Sequence, residues 1–404
     1  MMKISSAISD TELKTILTST HNFVEQKLFP IEMDVIKMAW QDAKPILDNL
    51  RSEVKSMGLW CPQIPKTYGG LGLSNKEHGM VSEILGMSPI GHFVFNCQAP
   101  DAGNMEILME FGTDYQKEKY LKPLLEGKIT SCFSMTEPEN AGSNPLMMNT
   151  TAVKEGEYYI INGHKWFTSS ADAASFAIVM ALTDPDNPEP YRRTSQIIVD
   201  TKASGFNQIR NIPIMGDEGS GYFSHAEIKY ENCKTPVIGL LGPEGAGYQI
   251  AQTRLGPGRI HHCMRWIGIC ERAFGMMCQY AMQRQTSPGK VLAEKQTIQN
   301  WIAESRAEIN ASKLMVLDAA EKIDMYGQDK ARVEISIIKF YVANVLQNVL
   351  DRAIQTHGGL GITDDTLLSW WYRHERGARI YDGPDEVHKS RVAKDILKSY
   401  KQQR

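Results

Sequence analysis

No run of 18 consecutive apolar residues occurs in the 404-residue chain, so nothing in it reads as a membrane span. A charge imbalance is missing too: 44 Lys and Arg face 47 Asp and Glu. The formal net charge of -3 leaves no electrostatic footprint for nucleic acid. The seven cysteines form no C-x-x-C pair, and their odd, scattered set argues for reduced thiols rather than a disulfide framework. Met1 to Glu12 carries neither an apolar run nor an Arg-rich pattern, so neither a secretory nor a transit signal is read there. The expectation is a cytoplasmic or matrix-like location. H-E-x-x-H and G-x-S-x-G are absent, which excludes a zincin-type site and a serine-hydrolase elbow. His261-His262 comes nearest to a metal pair, but adjacent helical residues point about 100° apart, so no metal site is expected. Gly242 to Gly247 is glycine-rich at the wrong spacing for G-x-G-x-x-G and is followed by no βαβ unit, which excludes a Rossmann domain.

What remains is an ordinary globular composition, 42% hydrophobic and 23% charged, in a chain long enough for two or three domains. Ser9-Asp10-Thr11-Glu12 has the spacing of a capping box and opens a helical region with Phe23, Val24 and Leu28 on one side. Lys66 to Gly72 reads as a Gly-rich turn, and Met105 to Gly112 as a helix closing on a glycine C-cap. From about Ile129, β-branched and aromatic residues alternate with polar ones between Asn-Gly, Asp-Pro and Ser-Gly breaks. Strands are predicted at Tyr158 to Asn162, Ser175 to Thr183, Ser195 to Asp200 and Ser224 to Tyr230. No helical patterns separate them, so a parallel βαβ sheet is not expected. After Pro236 helical periodicity returns, in runs of about 246–286, 292–326 and 328–356, with a final helix from about Glu386 to Tyr400. The fold class is therefore α+β: an N-terminal helical domain (1–129), a middle β domain of barrel or sandwich type (130–238) and a C-terminal four-helix bundle (239–404).

Three stretches carry groups that can do chemistry. Phe133-Ser134-Met135-Thr136-Glu137-Pro138-Glu139-Asn140-Ala141-Gly142-Ser143 combines hydroxyls, backbone N–H groups and a Gly-Ser turn, which can bond a heteroaromatic ring and a phosphate. Asn162-Gly163-His164-Lys165-Trp166-Phe167-Thr168-Ser169 offers an aromatic pair to wall a planar ring, with hydroxyls to reach its polar atoms; a hairpin with core aromatics is the plainer reading. Arg379-Ile380-Tyr381-Asp382-Gly383-Pro384-Asp385-Glu386-Val387-His388 places Asp382 before a Gly-Pro break, where it projects from a turn. Taken alone, it is either a helix cap or a fixed general base.

With Tyr68-Gly69-Gly70-Leu71-Gly72, Glu118-Lys119-Tyr120-Leu121-Lys122-Pro123-Leu124, Arg254-Leu255-Gly256-Pro257-Gly258-Arg259 and Gln355-Thr356-His357-Gly358-Gly359-Leu360-Gly361, these stretches make the chain, from about Leu28 onward, resemble the acyl-CoA dehydrogenase family. Gly256 to His262 taken with Asp382 to His388 is similar to the branch that includes the dehydrogenase portion of acyl-CoA dehydrogenases 10 and 11. The resemblance implies FAD between the middle and C-terminal domains, and α,β-desaturation of an acyl-CoA thioester. It assigns Phe133, Met135, Thr136, Trp166, Phe167, Thr168 and Ser169 to the flavin, and Ser143 to the junction of cofactor and substrate. Pro384 and Glu386 join the cofactor set, Glu386 at an adenine-contacting position. Arg284 and Thr286 match a contact to the FAD pyrophosphate of a neighbouring subunit, and Gln355, Gly358 and Gly359 match one to its adenosine half. A homodimer or homotetramer follows, with an electron-transferring flavoprotein as acceptor. Asp382 becomes the base, and Arg259, Tyr381, Gly383 and Ser143 the substrate-binding residues.

Most of the family has Glu where this chain has Asp382, a carboxylate shorter by roughly 1.5 Å. The alternative base position on the helix near Arg259 is Gly258 here. Other readings with the same fold are a nitroalkane oxidase, which also uses an Asp base, an acyl-CoA oxidase, or an acyl-CoA-binding scaffold whose chemistry has lapsed.

Overall fold

The computed structural model describes residues 8–401. Over these, contacts divide the chain into two compact units. One comprises the segments Met1–Lys37, Leu71–His92 and Gly256–Arg404, and the other Met38–Gly70 and Phe93–Leu255. The N-terminal third thus contributes to both.

The first unit is helical. Ser9 caps the helix Asp10–Phe23 by accepting the Glu12 N–H at 3.2 Å, and a π turn continues it through Val24–Leu28, burying Phe23, Val24 and Leu28. Helix Asn75–Gly86 opens on a full capping box between Ser74 and Glu77, worth about 1 kcal/mol. The bundle consists of Gly247–Gln283 from Gly256 on, Gln296–Tyr326, Arg332–His357 and Asp385–Lys401. Arg332–His357 packs against both Gln296–Tyr326 and Asp385–Lys401, and buries Ile335, Ile338, Val342, Leu346, Val349 and Ala353. By length and composition Arg332–Ile362 could cross a membrane, but its apolar face is spent on the bundle core with Trp266 and Trp371. Each such aliphatic side chain contributes roughly 1.5–3 kcal/mol on burial.

The second unit is built on one eight-stranded sheet: β1 (Ser131–Ser134), β2 (Thr151–Glu155), β3 (Tyr158–Ser169), β4 (Phe176–Leu182), β5 (Thr194–Asp200), β6 (Phe206–Asn211), β7 (His225–Pro236) and β8 (Leu240–Leu241), ordered β6-β7-β3-β2-β4-β5-β8. Its pairings are antiparallel except β1 and β2 on β4. β4 reads Phe-Ala-Ile-Val-Met-Ala-Leu, buried almost throughout, as a strand covered on both faces must be. One edge of β4 pairs with β5 along its whole length, while β1 and β2 share the other edge in tandem. The chain between them, residues 135–150, is thereby displaced from the sheet as a long excursion. That excursion carries Thr136 and Ser143.

One local expectation needs correcting. Asn162-Gly163 does not break the strand: β3 runs on to Ser169 with a register shift there, and a Cβ on Gly163 would lie 2.2 Å from Thr150 Oγ1. Gly112 closes the helix Asp101–Phe111 as its C-cap, as the sequence suggests, in an extended conformation (φ -71, ψ 140). The opening of that helix is what matters. Buried Asp101 accepts the Ser131 N–H at 2.7 Å and Asn104 reaches Ser131 Oγ at 2.9 Å, which fixes where β1 begins. Burial pushes the Asp101 carboxyl up to about 6, with the Ser131 donors opposing.

Candidate active site

In the sheet unit, the loop after β1 is held from beneath by a lysine. Lys165, with no exposed surface, donates to Met135 O at 2.7 Å and pairs with Glu137 Oε1 at 3.0 Å. Glu137 also accepts the N–H groups of Asn149 (2.6 Å) and Thr150 (2.8 Å) and the Asn140 amide (2.7 Å). Burial alone would raise the Glu137 carboxyl, but the Lys165 ammonium and these N–H donors outweigh it and hold it at about 2. Burial lowers Lys165 to about 8, against the pull of Glu137. Both ends of the excursion are tied to one carboxylate.

The predicted partner segment meets this loop. The Trp166 N–H donates to Thr136 O at 3.0 Å. Two residues, Trp166 and Phe167, bulge from β3 between the pairs Lys165–Ile228 and Thr168–Ala226; Phe167 takes φ +50 and stays 43% exposed. A large ring pushed into the open by a strained backbone is an unusual cost unless something covers it. Trp166 Nε1 is buried without a hydrogen-bond partner among the described residues, an orphaned donor at the same place. These two features fit a planar heteroaromatic group such as a flavin. Thr136 is half-buried, with Gly142 close to its methyl group, and Ser143 is exposed further along. Phe133 lies under the Arg254 guanidinium, 4.2 Å from its ring centre. The Thr168 and Ser169 hydroxyls have partners within the unit. Thr168 is buried with Oγ1 3.1 Å from Ser134 Oγ, and Ser169 Oγ lies 2.7 Å from His225 Nδ1, so both are engaged within the unit.

In the helical unit, Asp382 sits at φ +53 and Gly383 at φ +97, two successive left-handed residues before Pro384. Asp tolerates that region better than most residues, at a cost of order 1 kcal/mol or more that the surroundings must hold. They do. Arg259 Nε donates to Asp382 O at 3.2 Å, and His388 Nε2 lies 3.1 Å from the same oxygen. Lys339 Nζ donates to Ala378 O at 2.6 Å and Gly383 O at 3.4 Å. Its ammonium is fully buried, and that burial lowers its pKa while Asp382 and Asp385 oppose the shift. The carbonyls around Asp382 are thus pinned by cationic or imidazole groups, and the half-buried carboxylate meets His262 Nε2 at 3.4 Å.

Tyr381 packs beside this turn. Its hydroxyl accepts from Arg265 Nη2 (3.0 Å) and Trp266 Nε1 (3.1 Å), and Glu375 grips Arg265 in a two-pronged pair. Burial pushes the Tyr381 phenol well up, so it stays neutral. Asp385 is not a cap: its Oδ2 accepts from Arg379 at 2.8 Å and Asn344 at 2.9 Å. Glu386 is exposed on the first turn of the last helix, and Pro384 is half-buried. A Cβ on Gly258 meets nothing within 4 Å, so the alternative base position is empty space on the same helix as Arg259.

Arg284 and Thr286 are exposed on a small hairpin after the helix Gly247–Gln283, and Gln355, Gly358 and Gly359 are exposed at the end of Arg332–His357. Tyr280 stacks on His357 at 4.3 Å, which brings these two segments side by side. Lys339, Lys165 and His262 are site residues that the sequence reading did not assign. Among the described residues no group of His, Cys, Asp and Glu could hold a metal ion.

Comparison with known proteins gives one family. Models of the acyl-CoA dehydrogenase N-terminal, middle and C-terminal domains match residues 10–128, 132–233 and 245–397. "Acyl-CoA dehydrogenase family member 10" of Mus musculus is 40% identical over 392 residues, 93% of this chain and 36% of that protein. "Acyl-CoA dehydrogenase family member 11" of Gallus gallus is 39% identical over 94% of this chain and 50% of its own. The chain therefore spans half or less of these two curated relatives. "Probable acyl-CoA dehydrogenase FadE2" of Mycobacterium tuberculosis is 41% identical over 94% of both chains. Of solved structures, one described as an acyl-CoA dehydrogenase from Mycobacterium abscessus matches with TM-score 0.92 at 36% identity, covering 97% of this chain and 100% of that one. Butyryl-CoA dehydrogenase from Megasphaera elsdenii matches with TM-score 0.82 at 28% identity, over 97% and 100%.

Proposed function

The chain belongs to the acyl-CoA dehydrogenase family and is an oxidoreductase, and from that premise we propose that it desaturates an acyl-CoA thioester between its α and β carbons with FAD as cofactor. The observation that carries the reading is the Asp382 turn: a carboxylate on a left-handed backbone whose carbonyl is held by Arg259 and His388. A base so fixed can take one proton in one direction, which is what abstraction from the α carbon requires. The α-proton passes to the Asp382 carboxylate. FAD, when bound, supplies the acceptor for the β-hydrogen, which leaves as hydride. The Asp382 backbone N–H is the chain's own donor to the thioester oxygen, and Tyr381 borders the acyl group. Thr136, Met135 and the Trp166–Phe167 bulge would hold the flavin ring, and the Trp166 Nε1 donor supports this.

Arg284, Thr286, Gln355, Gly358 and Gly359 would reach the cofactor of a second copy, in a homodimer or homotetramer. An electron-transferring flavoprotein is the proposed acceptor. The test is anaerobic flavin bleaching with a panel of acyl-CoA thioesters and of nitroalkanes. We expect bleaching by an acyl-CoA, and about 10²–10⁴-fold slower bleaching in Asp382→Asn, with yellow colour and acyl-CoA binding retained. Bleaching by nitroalkanes alone would replace this reading with an oxidase.

A further inference from the structure

His262 has no role assigned from the sequence beyond a rejected metal pair and a branch motif, yet its Nε2 lies 3.4 Å from Oδ2 of Asp382. We propose that His262 is a positioning residue for the base, donating its Nε2–H to one oxygen of Asp382 and so fixing the plane of the carboxylate. The inference rests on the desaturase reading above.

Helical spacing sets up the contact. Arg259 and His262 stand three residues apart on one face of the same helix. The first holds the carbonyl of Asp382 and the second faces its carboxylate. The imidazole is itself confined. It stacks on Trp266, one turn further along, at 6.1 Å and 25°, and tilts against the Tyr381 ring at 5.5 Å and 60°. A ring braced on two sides can orient a group that a freely rotating side chain could not.

The electrostatics around it select the form of the contact. His262 faces Asp382 and Glu375 on one account, and Arg265 and Lys339 on the other, with His261 and His92 nearby. Burial, assisted by the two cations and opposed by Asp382, pushes the imidazole down to about 4. At neutral pH His262 is therefore an uncharged N–H donor. A charged imidazolium would form an ion pair and strip the carboxylate of basicity; a neutral donor orients it at smaller cost. The contact selects the tautomer with the proton on Nε2. At 3.4 Å it is longer than an ordinary N–H···O bond, as contacts to a base often are before substrate excludes water. The proton inventory is simple: the α-proton goes to Asp382, and His262 keeps its own throughout.

This device answers the shortened side chain. With one methylene fewer than Glu, Asp382 stays close to its own backbone, within reach of a side chain anchored on the neighbouring helix.

Two variants separate donor from packing. His262→Phe keeps a flat ring against Trp266 and Tyr381 but has no donor, whereas His262→Gln loses the ring and keeps an amide N–H near the position of Nε2. Both are read as flavin-containing protein by anaerobic bleaching with saturated acyl-CoA thioesters across pH. We expect His262→Phe to bleach about 10–100-fold more slowly, with acyl-CoA binding little changed. Its acid limb should move up by about one pH unit, because the charged base has lost a donor. His262→Gln should recover most of the rate and the profile. Without turnover, the imidazole nitrogen shifts of His262 at neutral pH should report the Nε2–H tautomer in wild type and lose that preference in Asp382→Asn. His262→Phe matching wild type in rate and profile, or His262→Gln as slow as His262→Phe, overturns the inference while the function stands. If no acyl-CoA bleaches the wild-type flavin, the function reading fails and the inference falls with it.

Discussion

Lys165 in the sheet unit and Lys339 in the helical unit have no exposed surface, and they are held in opposite ways. Lys165 is closed off: its ammonium meets Glu137 at 3.0 Å, and that carboxylate collects backbone N–H groups from the far end of the loop. Lys339 donates to carbonyls, Ala378 O and Gly383 O, and lies over the Trp266 and Tyr381 rings, while carboxylates act on it through space. A buried charge without a paired counterion is expensive. A paired one can be purely architectural, but one without a paired carboxylate beside a candidate base holds the turn that carries that base. The comparison therefore sets Lys165 to the shape of its loop and Lys339 to the turn that carries Asp382.

Breaking the closed pair should have the largest effect. Glu137→Ala strands Lys165 and the Asn149 and Thr150 N–H groups together, and should cost about 3–5 kcal/mol in denaturant unfolding, with loss of bound flavin. Lys339→Met keeps most of the stem volume and removes two donors. It should cost only about 1–3 kcal/mol in stability, yet slow flavin bleaching by about 10–100-fold. If Lys339→Met loses stability and keeps its bleaching rate, the two lysines are alike and the contrast is gone.

How much of this the sequence carried depended on the range of the interaction. The bundle helices were legible because apolar residues recur at helical spacing over many turns, and Asp382 because Gly383-Pro384 marks its own turn. Asn162-Gly163 misled, since the pair is a local turn signal while the close approach of Thr150 that demands the glycine comes from the end of the 135–150 excursion. The lysines were silent. Lys165 acts on a carboxylate 28 residues away and Lys339 on a carbonyl 39 residues away, and no local pattern encodes either partner. One clue was present: Lys339 lies on the helical face of Ile335, Val342 and Leu346, where a cation must find buried acceptors. The His262–Asp382 contact was hidden for the same reason, because the neighbour of His262 lies 120 residues on.

The same contrast reaches the buried glutamates, with the smallest expected effect. Glu137 has many donors and is held at about 2, whereas Glu32 in the helical unit has Arg272 at 3.3 Å and is pushed by burial up to about 7, with Ser88 and Arg272 opposing. The signs are opposite. Glu137 contributes stability above its unfolded pKa of 4.5 that is lost as pH falls toward about 2. Glu32 contributes stability that is complete below 4.5 and lost as pH rises through about 7, because the folded state then holds a proton the unfolded chain has released. Glu32→Gln should therefore flatten the decline of stability between about pH 4.5 and 7, and leave the acid limb below 4.5 as steep as in wild type. Thermal melts across that range read it directly. An unchanged decline between about pH 4.5 and 7 with a flattened acid limb in Glu32→Gln would mean that Arg272 governs Glu32 more strongly than burial does, and that the two glutamates belong to one class after all.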